Sequence, residues 1–194
     1  MVQYAVSLQG QQLEWVDNIT HLGHVLCNNC DDATDIRKRM SDFVCQVNYF
    51  LAKFGHLNVL FRSKLFTNFC LSLYGCQLWP LVHKCINDFA VVWRKSVRRI
   101  WRLPSSTHNA LLPFFVSGNN FSKILQQRFI IFANDCLCSP NALVNFISYL
   151  AGASQLHTFG RNMSYIVNYV PMYVSYPKQQ LHVNLCLCVM VLFL

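Results

Sequence analysis

Residues 86–102 read INDFAVVWRKSVRRIWR, and this stretch decides the fold class. On a helix at about 100° per residue, its apolar side chains occupy one face and its cations the opposite face. The apolar face consists of Ile86, Phe89, Ala90, Trp93, Val97 and Ile100. The cationic face consists of Arg94, Lys95, Arg98, Arg99 and Arg102, with Trp101 near the boundary. This segregation predicts an amphipathic helix that packs one side against a hydrophobic core.

The same helical periodicity recurs along most of the chain. A helix is predicted from Asp32, because an apolar residue returns every three or four positions from Ile36 to Phe54, and Gly55 stands at the place of a C-terminal cap. Helices are therefore predicted at 63–74, 83–102, 121–137 and 139–152, with a short apolar turn at 110–116. Gly75 is expected to end the first of these, and Ser139 to cap the last.

The two ends of the chain follow other patterns. Residues 4–26 alternate imperfectly between apolar and polar, which predicts a β-hairpin or two short strands. After residue 165 the helical pattern decays. The predicted fold is mainly α, with a small N-terminal β-hairpin, about five helices and an irregular C-terminal tail. The corresponding regions are the hairpin at 1–30, the helical part at 31–165 and an unmatched apolar tail at 166–194.

Composition bounds the class of protein. Of the 194 residues 54% are hydrophobic, which excludes disorder, and the net charge of +8 favours a polyanionic partner. The ten cysteines are expected to be reduced, because no secretory signal is visible at the start. The longest apolar run, at the C-terminus, is too short for a membrane span. We therefore expect an intracellular protein, nuclear or cytoplasmic and not secreted, that does not enter a membrane.

The cationic face of residues 94–102 needs an explanation. No Asp or Glu occurs between Asp88 and Asp135, and like charges four residues apart repel each other on a helix. The helix dipole favours only the cations of the last turn. Nucleic-acid phosphates would neutralise all five, and Trp101 would be available to stack on a base. The alternatives are a merely solvated face, or one that meets an acidic protein or a membrane surface.

Two constellations resemble metal sites. His21, His24, Cys27 and Cys30 are a possible zinc set, but their spacing leaves no intervening element to fold over the metal. The acidic pair Asp31 and Asp32, with Asp35, suggests a two-metal site, yet the place of the pair at a helix start favours capping. We therefore expect no metal, no cofactor and no catalytic residue.

Several motifs occur in a familiar order. They are HLGH at 21–24, FVCQVNYFLAKFGHL at 43–57, KLFTNFCLSLYGCQLW at 64–79, FAVVWRKSVRRIWRLPSSTHNALLP at 89–113, LQQRFIIF at 125–132, SPNALV at 139–144 and GRNMSYI at 160–166. This succession resembles the region after the palm in reverse transcriptases of non-LTR (LINE-type, jockey-like) retrotransposons. The resemblance covers about residues 5–166. His21 departs from the Tyr that is usual at its position, and the tail after Tyr165 has no counterpart.

The resemblance implies a thumb-like region followed by a helical extension. In that family the catalytic aspartates lie upstream of the HLGH strand, in a palm that residues 1–194 do not include. The chain would then be a non-catalytic remnant of an RNA-directed DNA polymerase, and not itself an enzyme. Its partner would be the backbone of RNA or of an RNA–DNA hybrid. Two alternatives are a small helical protein-interaction module, and a non-functional fragment that is not stably folded alone.

Overall fold

The computed structural model describes residues 7–9, 11–12, 14–116 and 118–169. In these ranges the helices are α1 Ala33–Phe54, α2 Val59–Leu65, α3 Lys84–Trp101, α4 Leu112–Phe115, α5 Phe121–Leu137, α6 Ala142–Ala153 and α7 Thr158–Tyr169. The strands are β1 Ser7–Leu8, β2 Gln11–Gln12, β3 Asn18–His21 and β4 His24–Cys27, paired antiparallel as β1–β2 and β3–β4. The mainly α fold with a β element at the start is confirmed. The predicted irregular tail lies outside the described residues from position 170 onward.

Helices α1 and α3 form the centre of the core. The apolar stripe of α1 is buried, and the six residues of the apolar face of α3 are all buried as predicted. Phe43 and Phe89 join the two helices with ring centroids 5.4 Å apart. Each large side chain buried here contributes about 1.5–3 kcal/mol. This shared core orients α3, so that its apolar face meets α1.

The second predicted helix starts earlier and ends earlier than expected. Instead of residues 63–74, α2 begins after Asn58, whose side chain accepts the N–H of Leu60, and continues as a π-helical turn, Phe66–Cys70. Arg128 of α5 then donates to the backbone carbonyls of Leu71 and Leu73. Those carbonyls are held in an irregular turn and do not extend the helix.

A buried carboxylate attaches the β3–β4 hairpin to α1. Asp35 is fully buried and accepts the N–H of Val25 at 3.0 Å and Trp79 Nε1 at 2.8 Å. His24 Nδ1 lies 3.0 Å from Asp35 Oδ2, and His24 Nε2 lies 3.5 Å from Asp32 Oδ1. Desolvation by burial is the main reason why the pKa of Asp32 is raised.

The capping role expected for the Asp31–Asp32 pair is only partly correct. Asp31 accepts the N–H of Ala33 at 3.0 Å and so supports the first turn of α1. Asp32 occupies the N-cap position without a side-chain cap hydrogen bond. Asp35 is no cap at all, because its carboxylate points into the core and joins elements 10 and 44 residues away in the sequence.

The C-terminal part of the fold consists of α5, α6 and α7. Helix α5 has the predicted bounds. Asn141 caps α6 in place of Ser139, and its side chain accepts the N–H groups of Leu143 and Val144. Helix α7 was not predicted, and it continues without a break across the boundary drawn at residue 165. No helix within the described ranges is both long and apolar enough to cross a membrane.

Asn162 explains why α7 packs where it does. It is buried, and its Nδ2 donates to the carbonyl of Trp79 at 2.9 Å. Its Oδ1 accepts the N–H of Leu81, also at 2.9 Å. The two bonds on either side of Pro80 join α7 to the segment before α3, over a sequence separation of 81 and 83 residues.

Candidate nucleic-acid interface

The five predicted cations lie together on the outer face of α3. Lys95, Arg99 and Arg102 are exposed, whereas Arg94 and Arg98 are half-buried. From Arg94 to Arg102 the helix rises about 12 Å at about 1.5 Å per residue. Along one nucleic-acid strand this length corresponds to about three or four charges, at about 3.4 Å per charge. We call the surface formed by Arg94, Lys95, Arg98, Arg99 and Arg102 the basic face.

Two of these cations are held in place by neutral oxygen atoms. Arg98 Nη2 donates to the carbonyl of Thr107 at 2.9 Å and to Asn109 Oδ1 at 2.8 Å. Arg99 Nη1 donates to Asn48 Oδ1 of α1 at 3.1 Å. These partners carry no charge, so they fix the guanidinium groups without neutralising them. The positive charge remains available to a second, anionic partner.

The other three cations have no such restraint. Within the described residues, Arg94, Lys95 and Arg102 make no side-chain hydrogen bond, and no carboxylate lies within 4.0 Å of any cation of the basic face.

The acidic residues just before α1 and within it, in contrast, have basic partners. Asp31 lies 3.4 Å from His83, and Arg39 lies 4.0 Å from both Asp35 and Asp42. The fold therefore collects opposite charges at the start of α1 and leaves positive charge alone on α3.

Arg102 occupies a position that usually favours glycine. Its φ is +53°, in the left-handed region, and its N–H donates to the carbonyls of Arg98 and Arg99. The N–H of Leu103 also donates to the backbone carbonyl of Arg98 at 2.8 Å, and this bond completes a Schellman-type end of the helix. A side chain in this conformation costs about 1–2 kcal/mol. The helix thus ends in a strained residue that carries an exposed cation.

A further arginine lies at the same end of α3. Arg62 of α2 donates from Nε to the carbonyl of Leu57 at 2.8 Å and from Nη1 to the carbonyl of Ile100 at 3.0 Å. It therefore satisfies a terminal carbonyl of α3 and places a sixth positive charge beside the helix end. No local pattern in the sequence indicates this contact of Arg62, because its partner lies 38 residues away.

Trp101 does not belong to this surface, contrary to the prediction. Its side chain is buried, and its ring packs edge-on against Phe66 at 5.5 Å and tilted against Phe115 at 6.1 Å. A base could stack on it only if the π-helical turn Phe66–Cys70 or helix α4 moved away. The helical angle placed Trp101 at the boundary of the two faces, and the neighbouring elements cover it.

The candidate zinc residues face different ways. His24 and Cys27 are three residues apart in β4, so their side chains alternate to opposite sides of the hairpin. His24 is engaged with Asp32 and Asp35. In the part of the chain that the structure covers, no group of three or more His, Cys, Asp or Glu is arranged to hold a metal ion.

Four of the quoted motifs meet at the segment 71–81, namely HLGH, KLFTNFCLSLYGCQLW, LQQRFIIF and GRNMSYI. Gly75 has a φ of +79°, and a side chain there would begin only 3.2 Å from His24 Nδ1. Arg128 of LQQRFIIF and Asn162 of GRNMSYI hold the backbone of this segment from two other sides. In the sequence, Arg128 and Asn162 are visible only as polar residues within helices of apolar pattern. The sequence does not indicate which backbone groups they bind.

Comparisons of the chain with protein-family models, with curated proteins and with solved structures found no match.

Proposed function

We propose that the chain is a non-catalytic remnant of a LINE-type reverse transcriptase whose basic face binds the backbone of RNA or of an RNA–DNA hybrid. It would act inside the cell, in the nucleus or cytoplasm. The residues that carry binding are Arg94, Lys95, Arg98, Arg99 and Arg102. The family assignment depends on the order of the sequence motifs, and the binding function depends on the basic face.

A single observation supports the binding function most strongly. Four cations share one face of α3 and Arg102 follows at its end, and no described carboxylate lies within 4.0 Å of any of the five. Their repulsion destabilises the isolated chain, and a row of phosphates relieves it. Contacts of this kind recognise the backbone and not the base sequence. We therefore expect similar affinity for unrelated sequences of equal length.

The test measures binding of labelled single-stranded RNA by fluorescence anisotropy as a function of salt. With about 0.7 counterions released per contact, five contacts give a slope of about −3.5 in log K against log salt. Affinity then falls about 100-fold between about 50 and 200 mM salt. An RNA–DNA hybrid and a second RNA sequence, measured in parallel, report on the preferred nucleic acid.

A matched pair of variants separates this face from the overall charge. Arg94→Gln, Lys95→Gln and Arg99→Gln are combined in one variant, and Arg37→Gln, Lys38→Gln and Lys53→Gln, exposed on α1, form the control. Both lower the net charge of +8 by three. Gln is nearly as good a helix former as Arg or Lys, so both variants should keep their helicity.

The first variant should flatten the slope by about 2 units, and the control should leave it nearly unchanged. Equal slopes for the wild type and the first variant would mean that the basic face is merely solvated. Equal losses in both variants would mean that net charge, and not this face, attracts the RNA.

A second candidate function, a small helical protein-interaction module, is favoured by one observation. Helix α6 carries large apolar side chains, among them Leu143 and Phe146, that are exposed. Association through such a surface hardly depends on salt, whereas phosphate binding weakens steeply. The salt dependence of any complex therefore distinguishes the two functions.

A further inference from the structure

Helix α6 turns its apolar stripe away from the protein. Leu143, Phe146, Ile147 and Leu150 are each between 54% and 65% exposed. They follow the spacing i, i+3, i+4 and i+7, which places them within an arc of about 100° on one face. We call these four residues the α6 stripe. A helix of this pattern normally buries such a stripe in its own core.

The opposite side of α6 shows why the stripe points outward. The residue of α6 that is buried there is Ser148, whose hydroxyl donates to the carbonyl of Val144 at 2.8 Å. Asn145, half-buried, donates to the carbonyl of Leu137 at the end of α5. Small and polar residues thus allow α6 to approach α5 and α7. The large apolar side chains are left on the outside, and no described element covers them.

We propose that the α6 stripe packs against the same stripe of a second copy of this chain. A stripe with the spacing of a helix-pairing surface is complementary to itself across a two-fold axis. Charge favours this partner as well. The chain carries +8, but no Asp, Glu, Lys or Arg occurs between Asp135 and Arg161. Two copies can therefore meet at α6 without bringing their cations together.

The apolar area of the α6 stripe determines how tightly we expect the dimer to form. Its four side chains leave about 400 Å² of apolar surface in water, at about 180 Å² for a fully exposed large side chain. With the surrounding residues, two copies bury about 1,000 Å² in total, which is near the lower limit for a specific interface. The dimer should therefore form in the micromolar range and dissociate on dilution.

The experiment is sedimentation velocity of the full chain from about 1 to 300 μM, after nuclease treatment and in about 0.5 M salt. These conditions remove association through bound nucleic acid, so the result is independent of the proposed RNA binding. The variant combines Leu143→Glu with Ile147→Glu. The control combines Leu60→Glu with Phe114→Glu, which are exposed at 75% and 80% and lie outside α6. Circular dichroism checks the fold of both.

We expect a monomer–dimer equilibrium in the wild type and in the control, with Kd raised at least tenfold in the stripe variant. A dimer that persists unchanged in a folded stripe variant would overturn the proposal. So would a wild type that stays monomeric at 300 μM, since the stripe would then be covered by residues 170–194 or reserved for another protein. That second result comes from the wild type alone and needs no variant.

Discussion

Replacing Arg102 by glycine should give a more stable protein than replacing it by alanine, and either replacement should weaken binding to RNA. With φ at +53°, the Cβ of Arg102 imposes a cost of about 1–2 kcal/mol that glycine does not have. Glycine in turn gains about 0.5–1 kcal/mol of conformational freedom in the unfolded chain. The variant with glycine at position 102 should therefore have a free energy of unfolding about 0.5–1 kcal/mol higher than a variant with alanine there. Its melting temperature should be higher by about 1–4 °C.

Arg102→Ala is the matched control for this prediction. Alanine removes the charge but keeps the Cβ, so it keeps the cost of the left-handed conformation. Any favourable effect of the cation on the helix dipole, about 0.3–1 kcal/mol, is lost equally in both variants. The difference in free energy of unfolding between the two variants therefore measures the cost of the left-handed conformation. What both variants lose relative to the wild type measures the effect of the charge. The free energy of unfolding is measured by urea titration, and RNA binding by anisotropy.

Both variants should flatten the salt slope of RNA binding equally, by about 0.7 units. If the glycine variant is no more stable than the alanine variant, α3 does not end in a left-handed residue at position 102. If both bind RNA with the wild-type slope, Arg102 is not part of the binding surface.

Four further predictions concern the core, the thiols and the chemistry. Asp35→Ala should lower the free energy of unfolding by about 3 kcal/mol or more, because it leaves a buried histidine and two donors without their acceptor. Asp42→Ala, on the same helix but at an exposed site, should cost at most about 0.5 kcal/mol, and equal losses would contradict the buried network. Burial raises the pKa of the Cys70 thiol to about 12, so at about pH 9 it stays protonated and reacts with a thiol reagent only on unfolding. Exposed Cys45 provides the comparison, and equal rates in the native protein would be inconsistent with that burial. Protein purified under reducing conditions should contain no stoichiometric zinc by metal analysis; zinc that is lost in a Cys27→Ser, Cys30→Ser variant would disprove this. Primer extension with Mg²⁺ or Mn²⁺ should give no templated product if the proposed non-catalytic remnant is right, since no group of three or more His, Cys, Asp or Glu among the described residues is arranged to hold a metal ion, and any templated incorporation would refute that proposal.

The sequence by itself determined the helices whose stripes face the core. The periods of α1, α3 and α5 predicted their positions within one or two residues, because helix formation and amphipathic spacing are local properties. The separation of cations from apolar residues on α3 was equally visible, since it depends only on the helical angle. The basic face is therefore a result of the sequence pattern.

The tertiary structure decided which surfaces are covered. Trp101 is buried because Phe66 and Phe115 reach it, and Arg62 joins the end of α3 from 38 residues away. The outward direction of the α6 stripe follows from the small and polar residues that pack on its other side. A periodic pattern shows that a helix has two faces, but only the neighbouring elements decide which face meets water. Which face is buried depends on contacts between segments that are far apart in the sequence, and a local sequence pattern does not predict those contacts.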